Sequence, residues 1–149
     1  MKKTRSAFTM LEVVFVIAVI GILSAIAIPK FATTRNDALV TRARDTLASV
    51  RSAIATERQK RILRGDFTKI TDLSAGGTDK VFDKFSADQD GNKNDVLEYP
   101  PKSCSDVGCW SGSGTTYTFH GPSGSGDCTY TLNDAGTKLT TTGCTALGE

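Results

Sequence analysis

The sequence predicts an α+β protein in which one long N-terminal helix packs on a small antiparallel β-sheet. Three features of its 149 residues support this prediction. An apolar run of membrane-spanning length lies near the N-terminus, and an apolar stripe at helical spacing follows it. Short segments rich in Thr, Tyr and Phe, separated by Gly-containing turns, occupy the last third of the chain.

The apolar run follows a short segment, residues 1–7, that contains three basic residues and no acidic one. Residues 13–28 carry no charge, and about 20 apolar residues are enough to cross the hydrocarbon core of a membrane. Positive charge beside such a span keeps that end in the cytoplasm. We therefore expect residues 8–29 to span the membrane and the rest of the chain to lie outside the cytoplasm.

The second half of the predicted helix is amphipathic. Pro29 has no N–H to donate to the carbonyl of Ala25, so a kink is expected there. Apolar residues then recur at steps of three and four as far as Ile54, which indicates a helix with one apolar face. Neither Gly nor Pro interrupts residues 30–64 after that, and Gly65 is suited to a helix C-cap. The apolar face should lie on the sheet.

The remainder of the chain is predicted to be loop and then sheet. Gly, Pro, Asp and Ser concentrate in residues 65–114, where a short strand or helix is expected only around Lys80–Phe85. Three antiparallel strands are predicted in residues 115–149: Thr115–His120, Cys128–Leu132 and Lys138–Thr142. The chain is thus divided into three parts: a leader (1–7), a membrane helix (8–29) and an extracytoplasmic domain (30–149).

Charge is distributed unevenly along the chain. Residues 30–64 carry nine Lys or Arg and three acidic residues, a net of +6, whereas residues 65–149 carry six and twelve, a net of −6. The two regions could attract each other within one molecule or between copies. Arg residues along a helix could also follow the phosphates of DNA, but aromatic residues do not alternate with them. A solvated or intersubunit face is the simpler interpretation.

Four cysteines lie in the last third of the chain: Cys104, Cys109, Cys128 and Cys144. An even number of cysteines beyond an export segment favours disulfides. The sequence leaves three pairings open, and Cys104–Cys109 with Cys128–Cys144 is favoured because each closes a local loop. Zinc is the alternative, although the gaps of four and fifteen residues do not match the usual zinc motifs.

An acidic loop is the candidate metal site, and Ca²⁺ is the cofactor it suggests. Its oxygen-bearing side chains alternate as Ca²⁺ ligands do. The glycine of this loop stands at the fourth position rather than the sixth, and Tyr99 occupies the twelfth. A solvated turn is therefore the alternative. The candidate ligands are Asp88, Asp90, Asn92, Asn94, Asp95 and Glu98.

The sequence predicts that the protein is not an enzyme. His120 is the only histidine, and no Cys, Ser or paired carboxylate in the sequence suggests a triad with it. We expect a surface or edge histidine at a strand end. Phosphate-binding loops, nucleophile motifs and dinucleotide-binding motifs are also missing from the sequence.

Glu12 is the unexpected residue of the apolar run, because a charge in hydrocarbon costs about 2.5–3.5 kcal/mol. In an ordinary membrane anchor it would reach the nearby interface. In a secretory signal, with cleavage after residues 25–27 (AIA), it would interrupt the apolar core. A cut between Ala7 and Phe8 would instead place a new amine one helical turn from Glu12. The carboxylate could then pair with the amine of a neighbouring helix and select the stagger between them.

The segment around this expected cut, AFTMLEV at residues 7–13, resembles the N-terminal signal of type IV prepilins and type II secretion pseudopilins. That signal combines a short basic leader, a cut before Phe, a Glu as the fifth residue after the cut and about twenty apolar residues. Gly21 and Pro29 fall where many members carry helix-loosening residues. Ala7 stands where the family usually has Gly, and both residues are small.

The resemblance implies a pilin-like fold and a structural role. Prepilin peptidase would cut between Ala7 and Phe8 and methylate the Phe8 amine. The subunit would wait in the inner membrane as a single-pass protein with its N-terminus in the cytoplasm. An inner-membrane assembly platform and its ATPase would then build a homo-oligomeric filament, with related minor subunits, in the periplasm or on the cell surface. Phe8 and Glu12 would act in this assembly.

The same resemblance leaves the role of the filament open. It could serve type II protein secretion, or it could be a type IV pilus used for adhesion, motility or DNA uptake. DNA would be a partner only in a competence pilus. Some pseudopilins bind calcium near the position of the acidic loop. A membrane-anchored extracytoplasmic binding module that does not polymerise is the alternative.

Overall fold

A computed structural model describes residues 8–77, 79–122, 124–141 and 144–148. The predicted leader, including Ala7 at the expected cut, lies outside the described residues, as does Thr142 of the third predicted strand. The described residues form one helix and four strands: α1 (Met10–Leu63), β1 (Trp110–Ser113), β2 (Thr116–Phe119), β3 (Cys128–Leu132) and β4 (Leu139–Thr141). The predicted α+β arrangement is confirmed.

The chain forms two compact units, one ending at Asp37 and the other beginning at Ala38, and α1 contributes to both. In the first unit the large hydrophobic side chains from Phe8 to Phe31 are exposed to solvent. By length and composition this part of α1 could cross a membrane. An apolar surface of this extent is not stable in water, so it must be covered by lipid or by other protein.

Both ends of α1 have identifiable caps. Thr9 precedes the helix, and its hydroxyl accepts a hydrogen bond from the N–H of Glu12 (3.2 Å). At the other end Gly65 has φ = 77°, and the N–H of Asp66 donates to the carbonyl of Arg61 (2.9 Å). This is the Schellman arrangement expected of a C-terminal glycine. The helix ends where the sequence predicts, and Pro29 lies inside it.

The core of the second unit forms between the apolar stripe of α1 and one face of the sheet. The stripe residues Ala43, Leu47, Val50 and Ile54 are all buried. Alternate residues of β2 and β3 are buried in the same hydrophobic cluster, as the two-residue period of a strand requires. The prediction that residues 35–64 lay their apolar stripe on the sheet is therefore confirmed for the stripe from Ala43 to Ile54.

The aromatic centre of this core is Trp110. Its ring lies 5.2 Å from the ring of Phe82, 5.3 Å from that of Phe119 and 5.7 Å from that of Tyr130, measured between centroids. These separations are typical of favourable aromatic pairs. Phe82 is fully buried with φ = 60°, a conformation that is costly for a bulky residue. Packing against Trp110 and Tyr117 holds it there.

The sheet is an antiparallel meander in the order β1-β2-β3-β4. Its first strand was predicted to be loop, which is wrong: residues 110–113 (WSGS) pair with β2. Gly and Ser have low strand propensity, so the segment lacked a strand signal. A Cβ atom on Gly112 would lie 2.3 Å from the carbonyl oxygen of Thr116, so only glycine permits this close approach.

The long loop between α1 and β1 contains only single β-bridges at the described positions around Lys80–Phe85, where a short element was expected. Lys80 bridges to Lys102, and Lys84 bridges to Asp95. The loop follows the surface of the core closely, because Val81, Phe82 and Phe85 are buried in it. Buried side chains rather than regular secondary structure therefore position this segment.

A buried ion pair fastens that loop to α1. Arg61 is fully buried, and its Nε donates to Glu57 Oε1 (2.9 Å) while its Nη2 donates to the carbonyl of Ser86 (2.6 Å). Asn94 donates from Nδ2 to both carboxylate oxygens of Glu57, at 3.0 and 3.1 Å. A buried pair is tolerated only when its remaining hydrogen-bonding positions are satisfied, and the loop satisfies them.

We expect Arg61→Ala to lower the free energy of unfolding of the second unit by about 3–5 kcal/mol, because Glu57 would be left as an uncompensated buried charge. Urea unfolding of the full chain in detergent, followed by the fluorescence of Trp110, measures this change. Lys60→Ala, which removes an exposed basic residue from the same turn, should change the free energy by less than about 0.5 kcal/mol. An equally small effect of Arg61→Ala would contradict the anchoring role of the pair.

Candidate functional site

The predicted assembly residues lie at the start of the exposed helix. The side chain of Phe8 is 79% exposed, and Glu12 lies in the first turn of α1, exposed as well. Thr9 stands between them as the N-cap of the helix. Glu12 is thus the third helical residue, where a Glu commonly follows a Thr cap. The sequence analysis missed this cap, although the pattern T-x-x-E was visible at residues 9–12.

The position of Glu12 gives it a local stabilisation that can be compared with its cost. A carboxylate in the first turn of a helix interacts favourably with the helix dipole, by about 0.3–1 kcal/mol. Insertion of a charged side chain into hydrocarbon costs about 2.5–3.5 kcal/mol. The local gain offsets only part of the cost at the centre of a span, so a role of Glu12 in assembly stays a prediction beside the plain membrane anchor.

The N-terminal segment that contains Phe8 and Glu12 is also similar to that of known proteins. Residues 2–28 match the family model of the prokaryotic N-terminal methylation motif. Two curated relatives, both described as type IV major fimbrial protein FimA of Dichelobacter nodosus, are 32% identical over 104 and 110 residues. The alignments cover 66% and 62% of this chain, and 64% and 70% of the relatives. The chain belongs to the type IV pilin family. No solved structure matches it significantly.

The methylation motif of this type IV pilin includes the residues predicted to act in processing and assembly, together with Gly21, one of the two predicted kink positions. Phe8, Glu12 and Gly21 lie within the matched segment, and so does Ala7, whose structure lies outside the described residues. A Cβ atom on Gly21 would meet nothing within 4 Å beyond the backbone of its own helix, so the surface of α1 is open there. Pro29 lies one residue beyond the match, and a kink at Gly21 or Pro29 stays a prediction.

Both disulfides favoured by the sequence are present. Cys104 bonds to Cys109 with a Cα–Cα distance of 5.6 Å, and Cys128 bonds to Cys144 with a distance of 4.9 Å. All four cysteines are in disulfides, so none of them has a thiolate with which to bind zinc as the alternative requires. The first disulfide closes the turn before β1, and the second fastens the start of β3 to the chain end after β4.

The acidic loop is organised around Asp88, which is nearly fully buried. Its Oδ1 accepts hydrogen bonds from the N–H groups of Asp90 (3.0 Å) and Asn92 (2.8 Å). Its Oδ2 forms an ion pair with Arg64 Nη2 at 3.2 Å, without hydrogen-bond geometry. The hydrogen bond from the backbone of Asn92 is the main cause of a lowered pKa for Asp88.

The other candidate calcium ligands take part in separate interactions. Asn94 bonds to Glu57, Asp95 pairs with Lys84 Nζ at 3.0 Å, and Glu98 is exposed. Among the described residues, no group of three or more acidic, histidine or cysteine side chains is placed to hold a metal ion. The four carboxylates of the set therefore form no such group, and calcium binding by the loop stays a prediction.

The basic residues beside the apolar stripe are partly engaged within the second unit. Arg44 donates from Nε to the carbonyl of Leu147 (3.1 Å), and Arg58 donates from Nη1 to the carbonyl of Thr68 (2.8 Å). Arg44 is nevertheless exposed and Arg58 is partly exposed, so a solvated or intersubunit face stays a prediction. These two residues connect α1 to the chain end and to the loop that follows the helix.

His120 is a partly exposed histidine at the end of β2, and it takes part in a hydrogen-bonded group that the sequence analysis did not predict. Its Nε2 lies 2.8 Å from Ser111 Oγ, and its Nδ1 lies 2.9 Å from Asp127 Oδ2. The histidine side chain is 19% exposed. The sequence analysis missed this group because Ser111 lies on β1, which was predicted to be loop. Only the pairing of β1 with β2 brings Ser111 beside His120.

Acid is expected to destabilise the second unit through Asp66. Its carboxylate accepts hydrogen bonds from the N–H groups of Thr68 (2.7 Å) and Gln89 (3.1 Å). The side-chain and backbone hydrogen bonds of Thr68 are the main causes that lower the pKa of Asp66 from 3.8 to about 2. Because the folded-state pKa is the lower one, this stabilisation is present above about pH 4 and is lost as the pH falls through about 2.

Asp66→Asn should therefore weaken the pH dependence of the free energy of unfolding between about pH 5 and pH 2. Urea unfolding at a series of pH values, again followed by Trp110 fluorescence, measures it. Asp134→Asn, in an exposed turn, is the matched control and should leave the pH dependence as it is in the unmodified chain. Identical pH profiles for the two variants would show that the hydrogen bonds of Asp66 contribute nothing.

Proposed function

We propose that this type IV pilin is the structural subunit of a filament, cleaved between Ala7 and Phe8 and methylated at the Phe8 amine by prepilin peptidase. The observation that carries the proposal is the position of Glu12: a carboxylate in the first turn of an otherwise apolar, exposed helix segment. The match of residues 2–28 to the methylation motif supports cleavage and methylation. The description of the relatives as major fimbrial proteins supports assembly in many copies.

The exposed apolar surface of α1 suggests two successive environments. Before assembly, lipid would cover it, with the basic leader on the cytoplasmic side of the inner membrane. After assembly, the helices of neighbouring subunits would cover it in the interior of the filament. The two disulfides of the second unit support its location in an oxidising compartment outside the cytoplasm.

Pairing between Glu12 and a new amine at Phe8 would fix the stagger of neighbouring helices. Phe8 precedes Glu12 by four residues, which would span about 6 Å if the helix extended to Phe8, so an axial offset near this size brings Glu12 of one subunit level with the amine of the next. Each charge is costly in an apolar core, and pairing compensates for much of that cost. A pair within one helix would also neutralise the charges, but it would not select an offset between subunits.

A type IV pilus is favoured over a secretion pseudopilus, because both curated relatives are described as fimbrial. Its partners would then be further copies of this chain, related minor subunits, prepilin peptidase and the inner-membrane assembly platform. Its final location would be a filament on the cell surface.

Glu12→Leu should leave membrane insertion intact or improve it, because a costly charge is removed. Filament assembly should fail or become irregular, because the amine is left unpaired in an apolar core. Glu12→Gln should fail less severely, since an amide can still accept a hydrogen bond. Membrane fractionation and filament imaging of the same strains separate insertion from assembly.

Thr9→Ala is the matched control for these variants, because it removes the cap hydroxyl from the same turn and keeps the carboxylate. If Glu12 acts by pairing, Thr9→Ala should still give regular filaments. The intact mass of every variant should correspond to a chain that begins at Phe8 and carries one N-methyl group. Regular filaments from Glu12→Leu, made of correctly processed subunits, would contradict the pairing.

A further inference from the structure

The hydrogen-bonded group Ser111–His120–Asp127 has the geometry of an activated serine. The two distances, 2.8 Å from Ser111 Oγ to His120 Nε2 and 2.9 Å from His120 Nδ1 to Asp127 Oδ2, are within the range for a nucleophile, a base and an orienting carboxylate. An ionised carboxylate can only accept hydrogen bonds, so the tautomer of a neutral imidazole that fits this pair carries its proton on Nδ1. Nε2 is then free to accept the proton of the serine hydroxyl.

Three different segments of the fold position these three residues. Ser111 lies on β1, and the register of β1 with β2 places it close to His120, the residue after β2. The backbone of His120 is tied to the first disulfide loop, since its N–H donates to the carbonyl of Cys109 (2.9 Å) and its carbonyl accepts from Gly108 (2.7 Å). The imidazole is thus fixed by its own backbone as well as by its two side-chain partners.

Asp127 reaches the histidine because the connection between β2 and β3 folds back tightly. A Cβ atom on Gly121 would lie 2.1 Å from the carbonyl oxygen of Gly126, so the two ends of the connection are in direct backbone contact. Asp127 follows immediately and precedes Cys128, whose disulfide fastens the start of β3. The carboxylate is therefore attached to a constrained segment, although its side chain is 54% exposed.

We propose that Ser111 is a covalent modification site that accepts an acyl group from an activated ester or thioester. In the transfer, Ser111 Oγ forms a bond to the carbonyl carbon, and its proton passes to His120 Nε2. The bond between the carbonyl carbon and the leaving group breaks, and the leaving group departs with that proton. Asp127 positions the imidazole and stabilises its protonated form. The products are an O-acyl serine and a free alcohol or thiol.

Ser111 acts in this scheme as an acceptor that is modified once. Turnover would require release of the acyl group by water through a second tetrahedral intermediate, which enzymes stabilise with donors in a water-excluded site. Here the orienting carboxylate is more than half exposed to solvent. A single modification on the surface of the second unit is compatible with a structural protein, and it does not depend on whether the chain forms filaments.

p-Nitrophenyl acetate is a suitable probe for this reaction, applied to the full chain in detergent. Peptide mapping by mass spectrometry gives the acetylation rate of each serine, and release of p-nitrophenolate gives the total. General-base assistance contributes about 10²–10⁴-fold, so Ser111 should be acetylated at least about 100 times faster than Ser113. Ser113 is the matched control because it points to the same side of β1 two residues away.

His120→Gln should reduce the acetylation rate of Ser111 to that of Ser113, and Asp127→Asn should reduce it at least about tenfold. Ser111→Ala should abolish the fast phase of p-nitrophenolate release, whereas Ser113→Ala should retain it. Unfolding curves from Trp110 fluorescence identify the variants that remain folded. Asp127→Asn is expected to remain folded, because the Asp127 side chain is 54% exposed. Equal rates at Ser111 and Ser113 in the unmodified chain would overturn the proposal, and so would fast acetylation of folded His120→Gln.

Discussion

The uncovered apolar surface of the first helical segment is the constraint on which the rest of the molecule depends. From Phe8 to Phe31 the large hydrophobic side chains are exposed on all sides of the helix. Burying such side chains is favourable by about 25 cal/mol for each Å² of apolar surface. This surface must therefore be covered by an apolar environment, and under the proposed function that environment is first lipid and then other subunits.

The second unit meets a different requirement, which is to remain folded in water with a small core. Its helix stripe and sheet supply the apolar contacts, while Arg61 and Glu57 hold the long loop and two disulfides close the turn before β1 and the chain end. Much of this unit has no regular secondary structure. In these irregular segments, backbone carbonyls accept hydrogen bonds from polar side chains rather than from a neighbouring strand. Arg44, Arg58 and Arg61 are such donors.

The elements that could be predicted from the sequence are those set by local periodicity and composition. The helix followed from the spacing of residues such as Leu47 and Val50, and the disulfide pairing followed from local loop closure. β1 could not be predicted, because Gly112 has low strand propensity. It is required there because a side chain at this position would collide with the backbone at Thr116 and Tyr117, and that contact cannot be seen in the sequence of β1 alone. The contacts of His120 were missed for the same reason, since they depend on strand register. The acidic loop was recognised as a motif, but its side chains are directed by Arg64, Glu57 and Lys84, which lie outside it.

Glu12 connects the membrane segment to the proposed assembly, because its local stabilisation as the third helical residue is smaller than the cost of burying its charge. The most direct test is the distance between the N-terminal amine of Phe8 and the Glu12 carboxylate in filaments, measured by electron cryomicroscopy. We expect these groups to lie within about 4 Å of each other on neighbouring subunits, which is the range of an ion pair. A Glu12 that pairs only with the amine of its own chain, or that faces solvent at the filament surface, would contradict the account.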